Sequence, residues 1–289
     1  MAALLFAAAA VLQQRAAADV PAAEALGGGL VRRLVRRPMW LLGVGADAGA
    51  YGIQAVALGL GSLVLVQPLL VTSLLFALPL SAIWAGRRLR RADWIWAGVL
   101  TLGLAIFVVV GDPTEGAETA AVSRWLVAAA IVLPAVAICV LWASRSHGVR
   151  RAVLLAVAAG VLYGVTAALT KSAVELLGDG FVNFLTSWEP YALAVVAVLG
   201  TYLAQAAFQA GRLEASLPAL TVLEPVVAVA LGITLLDEEV HAGGWKWLLI
   251  GVAAGGMLAA SIALPRAAAA AEPEAGAGAS PVPAGKVPA

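Results

Sequence analysis

An all-α polytopic membrane protein, with about nine transmembrane helices in two inverted structural repeats, is the fold class that this sequence predicts. Three observations carry that expectation. Hydrophobic residues make up 62% of the 289 and charged residues only 12%, with a mean hydropathy of +0.96; no soluble domain of this length needs so apolar a chain for its core. Nine segments stay apolar over lengths that reach across a bilayer. A set of polar and aromatic landmarks recurs in the same order in the two halves.

The segments lie at about 2–18, 39–60, 62–86, 94–111, 125–143, 152–174, 190–210, 216–236 and 245–264. The first starts almost at Met1, but its basic residue, Arg15, follows the apolar run instead of preceding it, so it reads as a retained helix and not a signal peptide. Residues 19–38 carry Arg32, Arg33, Arg36 and Arg37 among Leu and Val and end at Pro38, the pattern of a basic amphipathic segment on the inner membrane surface. After Pro265 the chain turns to small residues, Pro and Gly without apolar periodicity, which predicts a disordered cytoplasmic tail. The organisation expected is a first repeat over 1–111, a linker with the fifth helix over 112–151, a second, inverted repeat over 152–265, and the tail over 266–289.

Net charge is only +1, so orientation rests on where charges sit. Arg87, Arg88, Arg90 and Arg91, then Arg145, Arg150 and Arg151, then Arg212, Arg266 and Lys286 fall at one set of span ends, together with the arginines of 15–37. The opposite loops are acidic, with Asp112, Glu115 and Glu118, then Glu175 and Asp179, then Asp237, Glu238 and Glu239. Strict alternation makes this a multi-pass plasma (cytoplasmic) membrane protein with its N-terminus outside and its C-terminus in the cytoplasm. The nine Trp fall near span ends, where an indole favours the interface.

Tyr51 and Gln54 recur as Tyr202 and Gln205, Gln67-Pro68 as Glu224-Pro225, and Trp94-Ile-Trp96 as Trp245-Lys-Trp247, at offsets of 151, 157 and 151 residues. Five crossings separate the second span from the seventh, so the second copy runs through the membrane upside down. Secondary transporters use such inverted repeats to exchange two access states around one central site.

The third span, VQPLLVTSLLFALPLSAIWAG, the eighth, SLPALTVLEPVVAVALGITLLDEE, GDP after the fourth and SRSHG before the sixth resemble the drug/metabolite transporter superfamily of EamA-like type. They are similar in layout to its NIPA-type magnesium transporters. The resemblance covers about residues 1–265. It implies a nine- or ten-helix bundle of two inverted halves and a small-molecule or ion substrate. The magnesium branch carries an acid in the second helix just ahead of the Tyr51 position; here Asp47 stands one turn earlier.

Glu224 lies inside an apolar run, roughly 10 Å from its start at Leu217 at ~1.5 Å per residue, where a carboxyl needs a functional or structural reason. Pro225 has no N–H to offer the carbonyl of Thr221, and Pro68 repeats the interruption in the third span. Asp47, Tyr51 and Gln54 share a stripe of the second span, and Tyr202, Gln205 and Gln209 one of the seventh. With Gln67 and Glu224 these are the expected substrate-binding residues, with Pro68 and Pro225 as helix breaks; read as structure, Tyr51, Gln54 and Gln205 are interhelical hydrogen-bond glue. Asp47 and Glu224 suit a proton or a cationic ligand, and would be the ligands if the substrate is Mg²⁺. Tyr163, Thr166 and Thr170 share a face of the sixth helix, where each hydroxyl either lines the cavity or bonds its own i−4 carbonyl. Lys171 either pairs with one of these acids or snorkels to the outer interface. Asp237, Glu238 and Glu239 read as a solvated charge cluster. Gly43, Gly45, Gly49 and Gly52, and the pairs Gly160/Gly164 and Gly251/Gly255, read as close helix contacts.

The function expected is a drug/metabolite-type transporter moving a small solute by alternating access, coupled to a proton or ion through Glu224 or Asp47. Divalent-cation transport of the NIPA kind and a non-transporting membrane scaffold are the alternatives. No cofactor is expected beyond H⁺ or Mg²⁺ as coupling ion or substrate, and the partners are the lipid bilayer and that substrate, with a homodimer left open. No nucleophile-and-base pair, phosphate loop or His/Cys cluster points to an enzyme, and the arginine pairs abut spans instead of forming a nucleic-acid surface.

Overall fold

The computed structural model describes residues 1–18, 36–84, 89–114, 116–117, 119–210 and 213–269. The amphipathic stretch up to Val35, the loop arginines 87, 88 and 212, the acids at 115 and 118 and the tail beyond Ala269 lie outside the described residues.

Eleven helices and one pair of two-residue strands make up the described chain: α1 (Ala2–Ala18), α2 (Pro38–Gly59), α3 (Leu63–Val71), α4 (Ser73–Trp84), α5 (Arg91–Gly111), β1 (Pro113–Thr114), α6 (Val122–Ser144), α7 (Gly148–Gly178), α8 (Phe181–Thr186), α9 (Glu189–Ala210), α10 (Leu213–Leu235), β2 (Glu239–Val240) and α11 (Lys246–Ala269). Among the described residues, seven helices are long and apolar enough to cross a bilayer: α2, α3 continued into α4, α5, α6, α7, α9 and α11. The remaining two expected spans are helical too, with shorter apolar stretches at Ala2–Leu12 and Ala219–Leu235. The chain is an all-α polytopic membrane protein.

Local signals set the helix ends. Pro38 stands in the first turn of α2, where its missing N–H costs nothing. Ser62 caps α3 by accepting from Leu65 N at 3.1 Å. Asp112 and Asp237, both with left-handed backbone (φ 40 and 51), turn the chain out of α5 and α10. The two strands then pair antiparallel, Pro113 opposite Val240 and Thr114 opposite Glu239, closing one end of the bundle.

Neither expected helix break occurs. Pro68 and Pro225 sit inside continuous helix, because a proline removes one backbone bond while its neighbours are held by packing. The third span is interrupted at Thr72 instead, where Thr72 N and Oγ1 both bond the Leu69 carbonyl and tighten that turn. Pro265 likewise fails to end α11, which continues through an alanine run to Ala269.

Helix α7 is the hub. It packs on α9, α10, α6 and α2, and 67% of its span is buried against 11% for α6. Gly160 and Gly164 make the α7–α10 contact close: a Cβ at Gly164 would lie 2.6 Å from Val227 Cβ and 2.9 Å from the Glu224 carbonyl. At Gly45, Gly49, Gly52, Gly251 and Gly255 no such contact is realised, since a Cβ there would meet nothing within 4 Å, while Gly43 is buried. Trp125 departs from the interfacial pattern: it is buried, edge-on to Trp188 with ring centroids 5.5 Å apart.

Candidate functional site

A cavity of about 460 Å³ lies among α1, α2, α3, α4, α7, α9 and α10. Its polar lining is Asp47 and Gln54 from α2, Gln67 from α3, Gln205 from α9 and Glu224 from α10, with Tyr163, Ser73 and Thr221 beside them. Phe6, Leu70, Leu74 and Leu220 form apolar wall, and no Lys or Arg stands among the described lining residues. A concavity of about 470 Å³ along α5, from Trp94 to Ala105, is lined by that helix alone and gathers no convergent polar groups.

The close α7–α10 contact explains how a carboxyl comes to face this space. Gly160 and Gly164 receive Leu220, Leu223 and Val227, so the adjacent face of α10, with Thr221, Glu224 and Pro225, borders the opening. From α3, Gln67 is only 2% exposed, yet its Nε2 has no hydrogen-bond partner among the described residues. A buried donor left unpaired costs about 1–3 kcal/mol, so a native fold that keeps one invites a functional account.

Five of the eight expected substrate-binding residues therefore meet in one cavity. The others do not. Tyr51 is not a lining residue: its hydroxyl donates to Thr170 Oγ1 at 2.6 Å, and Thr170 donates in turn to the Thr166 carbonyl at 2.7 Å. With Thr170 it is α2–α7 glue, whereas Thr166 bonds within α7, to the Leu162 carbonyl at 2.9 Å. Tyr202 is 68% exposed on the outside of α9 and is no part of the cavity. The Gln209 side chain lies outside what is described.

Beyond the cavity, toward the end that carries the acidic loops, a buried ion pair closes the bundle. Lys171 Nζ donates to Glu238 Oε1 at 2.7 Å and to the Gly61 carbonyl at 3.2 Å. Glu238 also accepts from Leu63 N at 2.7 Å and Val64 N at 2.8 Å. The side chains are 4% and 0% exposed. Gly232 leaves the room, since a Cβ there would stand 2.5 Å from Glu238 Oε2. This corrects both sequence expectations: Lys171 neither snorkels nor serves the cavity acids, and Glu238 is not part of a solvated cluster. The available signal was Lys171 itself, because an ammonium deep in an apolar helix demands a counter-charge. Around the pair, Leu58, Leu63, Val66, Leu231, Leu235 and Leu236 form an apolar plug. At its margin, half-exposed Arg124 reaches the Asp237 carboxylate and the Leu235 carbonyl.

Over 260 residues, 89% of each chain, the sequence is 37% identical to an uncharacterized protein of Corynebacterium glutamicum. No family model and no solved structure matches it.

Proposed function

The chain belongs to one family with the uncharacterized Corynebacterium glutamicum protein, and from that premise we propose that it is a secondary transporter of the drug/metabolite type, moving a small polar or amphipathic solute by alternating access. The observation that carries this reading is the mid-bundle cavity in which Asp47, Gln54, Gln67, Gln205 and Glu224 converge from four helices. Solute sites that lie near the bilayer midplane, between two repeats, have this character.

Packing supports the two-repeat arrangement. Helix α1 packs on α2 and α4 in the first half as α7 packs on α9 and α10 in the second, and across the halves α3 meets α10 and α5 meets α11. The landmark pairs Gln54/Gln205 and Gln67/Glu224 each contribute both members to the cavity lining. In this reading nine helices cross the plasma membrane, the basic ends face the cytoplasm and Glu224 or Asp47 carries the coupling proton or ion.

Reconstituted protein tests it. A thermal-shift screen against small solutes and divalent ions finds the ligand, because a molecule that prefers the folded form raises the melting point. Uptake of that ligand into proteoliposomes under a proton gradient is then compared with Glu224→Gln. The expected outcome is folded protein with gradient-driven uptake abolished; undiminished uptake removes Glu224 from the mechanism.

A second reading, transport of Mg²⁺ or another divalent cation, is favoured by Asp47 and Glu224 lining the same space as the amides of Gln54, Gln67 and Gln205. Growth rescue of a magnesium-uptake-deficient host at low Mg²⁺, lost when both acids are replaced by Asn and Gln, is its expected result. Rescue that survives their loss argues against this site.

A further inference from the structure

We infer that Glu238 is a positioning residue for transport: held by Lys171, its carboxylate pins the first turn of α3 and latches the acidic end of the bundle shut. The inference rests on the transport reading above. Glu238 stands just past the end of α10, in a loop, yet its side chain is fully buried and accepts three hydrogen bonds. Two of them come from Leu63 N and Val64 N, which belong to the first turn of α3 and have no helical carbonyl to reach. A negative charge at that position is favoured by the helix dipole. Lys171 ties the same carboxylate to α7 and, through the Gly61 carbonyl, to the α2–α3 turn.

One side chain thus joins three segments that the sequence keeps far apart. Gln67 follows Leu63 by about one turn of α3, so the helix clamped at its start carries the buried amide of the cavity just below the clamp. Opening this end by moving α3 away from α7 and α10 must break the bonds to Glu238. An ion pair suits such a contact better than more apolar plug. Burying two charges carries a desolvation cost that offsets much of their attraction, and water entering as the end opens removes that cost. The closed state is specified in geometry without being made too stable to leave.

Sided labelling tests the latch. In a Cys139→Ser background, Ser73→Cys puts one thiol on the cavity wall, and a membrane-impermeant maleimide is applied to sealed vesicles from either face. With the latch intact, labelling from the acidic face is slow. In Glu238→Gln it rises by about tenfold, the change expected if the closed state loses about 1.4 kcal/mol. Lys171→Gln moves it in the same direction. Unchanged acidic-face labelling in either variant, with a monodisperse folded protein, overturns the latch. Failure of both variants to fold overturns it too, because the pair is then a structural staple. Uptake measured on the same vesicles separates the two readings: a protein that moves no solute yet opens on Glu238→Gln sinks transport alone, whereas a transporter whose sidedness ignores Glu238 sinks the latch alone.

Discussion

Glu238 and Gln67 are buried to the same degree, at 1% and 2% exposure, and lie within about one turn of the same stretch of α3, yet the chain treats them oppositely. The carboxylate takes three hydrogen bonds and a counter-charge, while the amide keeps an unpaired donor at the edge of a cavity. Burial alone therefore does not separate these two groups; hydrogen-bond satisfaction does. A satisfied buried group rigidifies its surroundings, and an unsatisfied one stores a cost that a ligand can relieve. In the transport reading proposed above, the acidic end is the closure and the middle of the bundle the receptor.

The largest way to break that contrast is to leave the closure half-made. Lys171→Met strands the Glu238 carboxylate in an apolar plug, and removing one partner of a buried pair costs about 3–5 kcal/mol. Chemical unfolding in micelles is expected to show a loss of that size, with a good part of it recovered in Lys171→Met/Glu238→Gln, where the uncompensated charge is gone. A loss under about 1 kcal/mol, in the range of an exposed surface pair, would mean that the pair does not hold this end.

An intermediate effect is expected where the receptor is framed. Gly164→Ala drives a Cβ against Val227 and the Glu224 carbonyl, so α7 and α10 must part, at about 1–3 kcal/mol for overpacking a tight contact. The same exchange at Gly255, which faces open space, is the control; there the better helix propensity of alanine is expected to gain up to about 1 kcal/mol. Equal melting shifts for the two would show that the α7–α10 approach is not what sets the position of Glu224.

Much of this was legible in the chain. Apolar runs located the described spans within a few residues, because a bilayer fixes both length and polarity. The recurrence of Gln54 as Gln205 and of Gln67 as Glu224 named four of the cavity's polar groups. The tyrosines misled for an angular reason. At about 100° per residue, Tyr51 is about 40° from Asp47 on one side and Gln54 about 20° on the other, enough to swing the phenol onto α7. Tyr202 is about 60° from Gln205 and leaves the cavity altogether. Glu238 was hidden by its neighbours: Asp237, Glu238 and Glu239 look alike as sequence. The left-handed turn at Asp237 and the missing side chain of Gly232 select the middle acid for burial. Those are properties of a folded turn packed on a helix end, which no local pattern encodes.

The smallest effect on stability sharpens the contrast most. Gln67→Met keeps volume and removes a buried donor that nothing satisfies, so the receptor reading expects stability to stay level or rise by up to about 1 kcal/mol, while uptake falls. The two readouts must move apart. Had Gln67 been a satisfied packing group, its loss would lower the melting point and leave transport per folded molecule intact. Measured side by side in one preparation, a melting point that drops together with uptake would place Gln67 with the closure instead of the receptor, and the line drawn between the two ends of α3 would have to move.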